Sequence, residues 1–170
     1  TLLLPQGPRL AFLRQAEGTF RNLTDPAVRG AVLTETGGLA SLRFKDGTLW
    51  RFGPPSAGTA FLGEVQDRVG NRLVLTREGP LQRLTAITDP ATERQVVLSY
   101  DGDNRITMLT DPLGRTVRYG YSAAGHLESV TDPAGGVTQY TYDAQGWLLT
   151  ITDPKGIVFL TNEYDPAGRV

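Results

Sequence analysis

The sequence contains no cysteine, one histidine and one methionine, and these shortages narrow the chemistry open to the chain. Without cysteine there are no disulfides, thiolate metal sites or cysteine nucleophiles. The single histidine is His126, and no Gly-x-Ser-x-Gly motif accompanies it. We therefore predict neither a zinc site nor a Ser-His-Asp triad, and we expect His126 to be a surface residue at a turn exit.

Long apolar runs and an excess of one charge are missing as well. No stretch of 18 apolar residues exists, so we expect no transmembrane helix and no insertion into a membrane. The net charge of −1 argues against a nucleic-acid-binding protein, which would carry a basic surplus. No signal peptide, P-loop or Gly-x-Gly-x-x-Gly motif occurs. Because Met108 is the only methionine, we expect a processed product or an excised piece.

Glycine and proline are abundant, and they belong to a tandem repeat. The 20 glycines and 11 prolines predict many turns and no long helices. The aspartates from Asp67 onward are 22, 22, 21 and 21 residues apart. Each of them except Asp67 is the central residue of a Thr-Asp-Pro string. The members of this column are Asp25, Asp67, Asp89, Asp111, Asp132 and Asp153. Asp46 falls midway between the first two but belongs to a Lys-Asp-Gly turn that looks different.

Apolar residues stand at fixed positions before each of these aspartates. The position five residues before holds Phe20, Leu62, Leu84, Ile106, Leu127 and Leu148. The position two residues before holds Leu23, Val65, Ile87, Leu109, Val130 and Ile151. The two positions lie on opposite faces of an ideal strand, so either both faces are covered or a β-bulge shifts the register between them, and we favour the bulge.

A second column begins at a tyrosine. Tyr100, Tyr121, Tyr142 and Tyr164 are each followed by Asp or Ser, and four residues later by Asn104 or a glycine. Asn and Gly tolerate a positive φ best, so we predict a left-handed residue that closes a turn opened by the Asp side chain. Alternating residues such as those of Thr116–Tyr121 predict a strand between the two turns. Each repeat of about 21 residues is therefore one β-hairpin.

The first 60 residues are less regular, and we place them in a degenerate region (1–60) that precedes the regular repeats (61–170) within one continuous β domain. Leu42–Phe52 has the pattern of a hairpin, and Gly53–Gly58 that of a loop. Leu2–Pro5 and Phe12–Leu13 are short strand candidates. The best helix candidate is Ala57–Val65, although glycines interrupt it.

The segments Thr110–Tyr121, Tyr142–Gly146 and Tyr164–Gly168 resemble the YD-repeat, or Rhs, family. The resemblance implies an all-β fold in which tandem hairpins form an extended, curved antiparallel sheet, part of a hollow shell. In bacterial members and insecticidal toxin complexes such a shell encloses a toxic C-terminal segment, and in animal teneurins it belongs to an adhesion receptor. The resemblance thus implies a secreted or cell-surface bacterial protein.

Two arrangements of aspartates invite a chemical interpretation. The Asp column could form a calcium ladder, but one carboxylate per repeat fits better with each Asp capping its own turn. Some Rhs proteins cleave themselves at paired Asp-Pro motifs, and Asp111 and Asp132 have such a spacing. The repeat period alone produces it, and Arg115 and Thr116 depart from the family's cleavage motif. We predict no catalytic, cofactor-binding or metal-binding residue.

The tyrosines are the strongest candidates for binding. Tyr119, Tyr121, Tyr140 and Tyr142 should form columns on one sheet face, where they pack across strands or, if exposed, bind a sugar or a peptide. We therefore expect a non-enzymatic shell segment whose partners are further repeats and an enclosed C-terminal effector. The alternative is a carbohydrate- or receptor-binding adhesion module that assembles through open sheet edges.

Overall fold

A computed structural model describes residues 2–3, 9–15, 18–26, 28–55 and 58–170 of the chain. These residues form strands, turns and connecting segments, with no α-helix among them. The predicted all-β class built of tandem hairpins is therefore confirmed. The chain divides into two compact units, Thr1–Gln95 and Val96–Val170. The division that we predicted at residue 60 stays a prediction.

The first unit is a series of short antiparallel strands. From β3 to β10, consecutive strands pair antiparallel, and β1 and β2 form a separate two-stranded sheet. The strands are β1 (Leu2–Leu3), β2 (Arg9–Leu10), β3 (Leu13–Arg14), β4 (Thr19–Arg21), β5 (Val32–Thr36), β6 (Leu39–Arg43), β7 (Leu49–Phe52), β8 (Leu62–Gln66), β9 (Arg72–Glu78) and β10 (Arg83–Asp89).

The second unit repeats the same arrangement with greater regularity. Consecutive strands again pair antiparallel, and β17 ends the order. The strands are β11 (Arg94–Tyr100, in this unit from Val96), β12 (Ile106–Thr110), β13 (Thr116–Tyr121), β14 (Leu127–Thr131), β15 (Val137–Tyr142), β16 (Leu148–Thr152) and β17 (Val158–Thr161). The predicted strand Thr116–Tyr121 is confirmed as β13.

A β-bulge interrupts the first strand of every regular repeat, as predicted. In β14, Leu127 lies opposite Tyr121 and Val130 opposite Tyr119, so one extra residue, Glu128, stands between the paired positions. The corresponding extra residues in the other repeats are Gly63, Thr85, Thr107 and Leu149. The extra residue shifts the pairing register by one position. Both apolar positions of the repeat therefore lie on the same face of the sheet.

A compact apolar core lies in the first unit. Val28, Ala31 and Leu42 are buried, and Leu42 is fully excluded from solvent. Partly buried aromatic and aliphatic side chains surround them: Phe12, Leu33, Phe44, Trp50 and Phe52. The hairpin predicted for Leu42–Phe52 is confirmed as the end of β6, a turn and β7, and it supplies the centre of this core.

Some local predictions for the first 66 residues need correction. The helix candidate Ala57–Val65 is wrong where the structure describes it, because Leu62–Gln66 is strand β8. Leu23, assigned to the apolar column, lies outside any strand and is 59% exposed. The strand candidates are confirmed at Leu2–Leu3 and at Leu13. Residues 4–5 and 56–57 of the predicted strand, loop and helix lie outside the described residues.

Candidate functional site

One turn with a fixed hydrogen-bond pattern recurs through the repeats. At Asp143 the backbone N–H donates to Trp147 O (3.0 Å), and the Gly146 N–H donates back to Asp143 O (3.1 Å). The Asp143 Oδ1 atom accepts the N–H groups of Gln145 (3.0 Å) and Trp147 (2.8 Å). The opening residues of turns with this backbone pattern are Phe44, Asp67, Asp101, Asp111, Ser122, Asp132, Asp143, Asp153 and Asp165. The Lys-Asp-Gly turn that we expected to be different therefore has the same backbone hydrogen bonds, with Phe44 in the opening position. The Asp-Pro turn and the Tyr-Asp turn are therefore the same structure.

The left-handed position of this repeat turn is confirmed, including its one asparagine. Asn104 has a φ of 67°, where the neighbouring repeats have glycine. Two further left-handed residues, Gln82 (φ 52°) and Glu93 (φ 58°), are of types that the sequence pattern did not mark. The left-handed residue of the turn at Asp111 is Gly114, three residues after the Asp, whereas that of the turn at Asp89 is Glu93, four residues after the Asp. The turn at Asp89 is therefore one residue longer.

Hydrogen bonds to the opening carboxylates favour their charged form. The pKa of Asp101 is lowered, above all by the Arg105 backbone N–H and also by the Arg105 side chain. The pKa of Asp165 is lowered in the same way by the backbone and side chain of Arg169. These carboxylates therefore act as fixed acceptors within their own turns. This is the predicted capping role.

A tyrosine at or just beyond the end of the second strand closes three of the hairpins. Its hydroxyl donates to the backbone carbonyl of the apolar residue that begins the preceding bulged strand. The three pairs are Tyr121 with Ile106 (2.8 Å), Tyr142 with Leu127 (2.9 Å) and Tyr164 with Leu148 (2.8 Å). Burial raises the pKa of Tyr121 and Tyr142, so both hydroxyls stay protonated donors.

Arg77 takes the tyrosine's place in the first unit, and the sequence analysis missed it. Its Nε donates to the carbonyl of Leu62, again the first apolar residue of the preceding bulged strand (3.2 Å). Its Nη1 reaches the carbonyl of Gln82 (3.0 Å). A guanidinium is long enough to make the same bond as a phenol hydroxyl. The signal available in the sequence was the spacing of 15 residues, which Tyr121 and Ile106 share.

A stacking pair accompanies each of these bonds. The residue just before each of these bulged strands packs against the tyrosine, or Arg77, that closes the same hairpin. In two pairs the arginine Cζ atom lies near the centre of a ring: Arg77 at 5.4 Å from Phe61 and Arg105 at 5.0 Å from Tyr121. In the other two the ring centres are close: His126 and Tyr142 at 4.8 Å, and Trp147 and Tyr164 at 5.2 Å. Two of the pairs are cation–π contacts. In one of them the second strand supplies the cation, Arg77, and in the other the residue before the first strand supplies it, Arg105. We call the hydroxyl or guanidinium bond and the stack together the hairpin clamp.

The clamp corrects the prediction for His126. The residue stands at a turn exit as predicted, but it is half-buried and stacked on Tyr142. Its ring also covers the next repeat turn, since a Cβ added to Gly146 would lie 2.9 Å from its Nε2 atom. Trp147 covers Gly168 in the same way. His126 therefore has a packing role that Arg105 and Trp147 have in their own repeats.

The sheet of the second unit has two chemically different faces. Residues paired across strands lie on the same face, and one set of pairs is almost entirely tyrosine and aliphatic. This apolar face comprises Leu98, Tyr100, Ile106, Leu109, Val117, Tyr119, Tyr121, Leu127, Val130, Thr138, Tyr140, Tyr142, Leu148, Ile151 and Leu160. The other face is mixed, with a majority of polar side chains: Val97, Ser99, Met108, Thr110, Thr116, Arg118, Gly120, Ser129, Thr131, Val137, Gln139, Thr141, Thr150, Thr152, Val158 and Thr161.

The apolar face has no layer packed upon it within the second unit. All 75 residues of this unit, 96–170, are described, and every member of the apolar face is half-buried while none is fully buried. The face contains no charged side chain. The predicted columns of Tyr119, Tyr121, Tyr140 and Tyr142 are thus present on one face. Their neighbours cover them from the side and leave their outer surface accessible.

The aspartates do not assemble into a metal site or a carboxylate pair that the structure identifies. No group of three or more His, Cys, Asp or Glu side chains suited to a metal occurs in the described part of the chain. Asp111 is held by Arg115 in its own turn, and Asp132 by the N–H groups of Ala134 and Gly136. The expected lack of catalytic, cofactor and metal residues stays a prediction.

One shallow groove combines aromatic and polar side chains. It has a volume of about 380 Å³ and lies between the last two Tyr-Asp turns. Trp147, Tyr164 and Pro166 provide its apolar surface, and Asp143 and Gln145 provide polar groups. These side chains are of the types that bind sugars, so the groove suits the alternative prediction of a carbohydrate-binding module.

The comparison with protein families agrees with this repeat geometry. The RHS repeat model matches residues 80–116, 100–137 and 121–158, three overlapping stretches one repeat apart. A search of curated proteins gave no match. Among the described residues, no helix is long and apolar enough to cross a membrane. The tandem matches, the bulged hairpins and the hairpin clamp agree with one another, and residues 80–158 of the chain are RHS, or YD, repeats.

Proposed function

We propose that this chain is a segment of an RHS β-shell that encloses or presents a C-terminal toxin or effector polypeptide, and that it catalyses no reaction itself. A structural role for the repeats follows from the family. The observation that carries the finer proposal is the uncovered apolar face of the second unit. An apolar face that its own unit leaves half-exposed is suited to contact another polypeptide.

The chemistry of the face indicates what kind of polypeptide it would hold. It offers no charge, and the hydroxyls of Tyr121 and Tyr142 are already bonded to backbone carbonyls. Few polar partners therefore remain for a folded, polar surface. Exposed apolar side chains of an unfolded or partly folded chain would match it best.

We propose that the native protein acts outside the bacterial cytoplasm, as a secreted or cell-surface product.

Binding of an unfolded polypeptide tests this proposal. The probe is fluorescently labelled, reduced and carboxymethylated α-lactalbumin, and the readout is fluorescence anisotropy. Tyr140→Glu places a charge on the apolar face, whereas Gln139→Glu places the same charge on the opposite face of the same strand. We expect Tyr140→Glu to weaken binding about tenfold and Gln139→Glu to change it less than about twofold, since only the first buries a charge against the probe.

Thermal unfolding of both variants controls for loss of fold. If the parent chain fails to bind the probe, or if the two folded variants weaken binding equally, the apolar face does not hold a polypeptide. Hydrolysis of a protease, esterase or glycosidase substrate, abolished by one point substitution, would overturn the non-enzymatic part of the proposal.

A carbohydrate-binding adhesion module is the second candidate, favoured by the groove at Trp147. Pyranose rings stack on indole and phenol rings while carboxylates and amides bind their hydroxyls. Trp147→Ala should then abolish retention on a glycan array, with Trp50→Phe as the control. Glycan binding that survives Trp147→Ala, or no glycan binding at all, would exclude this groove.

A further inference from the structure

A pocket in the first unit lies where the regular repeat pattern is broken. It has a volume of about 330 Å³, at the lower end of the range of small-molecule sites. The segment that connects β7 to β8 and the hairpin β9–β10 both line it. Its lining is apolar apart from Arg77 and Gln82. Four departures from the regular repeat meet at this pocket.

The first departure is the length of the segment between β7 and β8. Gly53 N–H donates to Phe61 O at 2.9 Å, which is the bond that closes each repeat turn. The repeat turns close over five residues, whereas this segment closes over nine, residues 53–61. The longer segment brings Pro54 and Pro55 to the pocket.

The second departure is a missing side chain at the bulge of β8. The extra residue of this bulge is Gly63, whereas the second unit carries Thr107, Glu128 and Leu149 at the same position. A Cβ added to Gly63 would lie 3.8 Å from Gly53 N, an ordinary contact distance. The backbone therefore does not require a glycine here, and the lack of a side chain keeps the pocket open.

Arg77 and Gln82 are the third and fourth departures. Arg77 replaces the tyrosine of the hairpin clamp and brings a charge to a half-buried position. Gln82 has a left-handed φ of 52°, and its carbonyl accepts the Nη1–H of Arg77 at 3.0 Å. A left-handed backbone costs free energy at a residue other than glycine, and such strain is concentrated at binding sites.

The guanidinium of Arg77 has donors to spare. Its Nε is bonded to the carbonyl of Leu62 and its Nη1 to that of Gln82. A guanidinium carries five N–H groups, so three remain, two of them on Nη2. None of the ion pairs formed within the described part of the chain includes Arg77. The pocket thus combines an apolar lining with a half-buried cation that has spare donors.

We infer that this pocket binds a carboxylate carried by an apolar group. The carboxylate would accept the remaining N–H groups of Arg77, and the apolar group would contact Leu62, Leu75 and the two prolines. One cation in an apolar lining matches a monoanion, because a dianion such as phosphate would leave a charge uncompensated. This inference goes beyond the proposed function, because it concerns the first unit and not the apolar face of the second.

An aryl acid and its neutral amide form a matched pair of probes. The acid is phenylpropionate, and the amide is phenylpropanamide. Binding to the ¹⁵N-labelled chain is followed by NMR at the backbone amides of Gly53 and Gly63 and at the Nε–H of Arg77. We expect saturable shifts with the acid. The amide should bind about tenfold more weakly, since it lacks the charge-assisted hydrogen bonds.

Two substitutions at Arg77 and its strand test the cation. Arg77→Tyr restores the residue of the regular repeats, so the clamp is kept while the charge is removed. It should weaken binding of the acid about tenfold and leave binding of the amide unchanged. Arg72→Gln removes the same charge from the opposite face of β9. It should change the affinity less than about twofold, because water and salt screen an exposed charge at this distance.

Two substitutions at the bulges test the space. Gly63→Leu introduces the side chain that Leu149 has at the bulge of β16, and it should abolish binding by filling the pocket. Thr85→Leu introduces the same side chain at the bulge of β10, outside the pocket, and should leave binding unchanged. The amide spectrum of each variant controls for loss of fold.

Two results would overturn the inference whatever the variants do: no saturable shift with the acid, or equal affinity for the acid and the amide. Binding that survives both Arg77→Tyr and Gly63→Leu would also overturn it. The peptide Gly-Gly-Gly-Phe with a free carboxyl group distinguishes two sources of the same chemistry. Tighter binding than the small acid would assign the site to a polypeptide C-terminus, and binding no tighter would assign it to a small-molecule acid. None of these results bears on the Tyr140→Glu test.

Discussion

The core around Leu42 and the repeats after residue 96 are both antiparallel β-structure, yet they hold their apolar side chains in different ways. The first unit has irregular repeats and fully buried side chains at Val28, Ala31 and Leu42. The second unit has regular repeats and no fully buried side chain. Regularity of sequence and burial of a core are therefore separate properties of this chain.

The difference shows two ways of stabilising a short strand. In the first unit, side chains from several strands converge on Leu42 and exclude water. In the second unit, each hairpin is closed by a hairpin clamp, and repeat turns and lateral packing along one face connect it to its neighbours. Stability of this kind is distributed over nearest neighbours, as in other repeat proteins, and it leaves one face open to a partner.

Truncation at the core should have the largest effect. Leu42→Ala is expected to destabilise the first unit by about 2–5 kcal/mol, because a cavity opens where the side chain is fully excluded from solvent. Leu127→Ala in the second unit should cost about half as much, since its side chain is half-buried. Denaturant unfolding followed by Trp50 fluorescence reports the first unit, and Trp147 fluorescence reports the second. Equal losses would contradict the distinction between the two units.

A side chain at the left-handed position of a repeat turn should come next. Gly146 has a φ of 85°, and a Cβ would lie 2.9 Å from the His126 ring. Gly146→Val should therefore destabilise the second unit by about 1–3 kcal/mol. Gly135→Val is the control, because Gly135 has a φ of 89° and open space around its Cβ.

The control separates strain from crowding. Gly135→Val should show the backbone strain alone and cost less than Gly146→Val. Adding His126→Ala to Gly146→Val should recover the difference. If Gly146→Val unfolds at the parent's temperature, the assigned turn geometry is wrong.

Removing one hydroxyl from the clamp should have a smaller effect. Tyr142→Phe leaves the Leu127 carbonyl without its donor and should cost about 0.5–1.5 kcal/mol. Tyr140→Phe removes a hydroxyl two residues away on the same strand and should cost nearly nothing. Denaturant unfolding of the two variants checks the contrast. A larger loss for Tyr140→Phe would mean that the clamp contributes little.

Acid should weaken the repeat turns. The loss of stability at each turn should be smaller than the losses expected for the substitutions above. The pKa values of Asp67, Asp101 and Asp165 are lowered in the folded chain, so their stabilisation is present above the unfolded value of about 4. It is lost as the pH falls through the folded-state pKa. Tm should therefore fall between about pH 4 and pH 2.

Asp101→Asn tests one of these turns directly. The amide keeps the acceptor oxygen but does not titrate, so the variant should lose part of the acid dependence of Tm. The turn opened by Ser122 has a hydroxyl in place of the opening carboxylate and serves as the internal reference. An unchanged acid dependence in Asp101→Asn would assign it to other carboxylates.

Sequence periodicity predicted the regular features well because each is a local requirement. A turn needs its Asp acceptor and its left-handed residue within five positions, so both can be found by counting. The bulge follows from two apolar positions three residues apart. Gln82, Glu93 and Arg77 were missed because the repeat geometry imposes their conformations or bonds on residue types that do not usually adopt them.

The hairpin repeat, the positions of the turns and the apolar side of each strand follow from the local sequence. That Arg77 replaces a tyrosine, that His126 stacks on Tyr142 and that the buried core forms around Leu42 depends on the folded chain. The physical reason is the range of the interactions. Turns and strand alternation depend on neighbours along the chain, whereas clamp partners about 15 residues apart and the convergence on Leu42 depend on which strands the fold brings together.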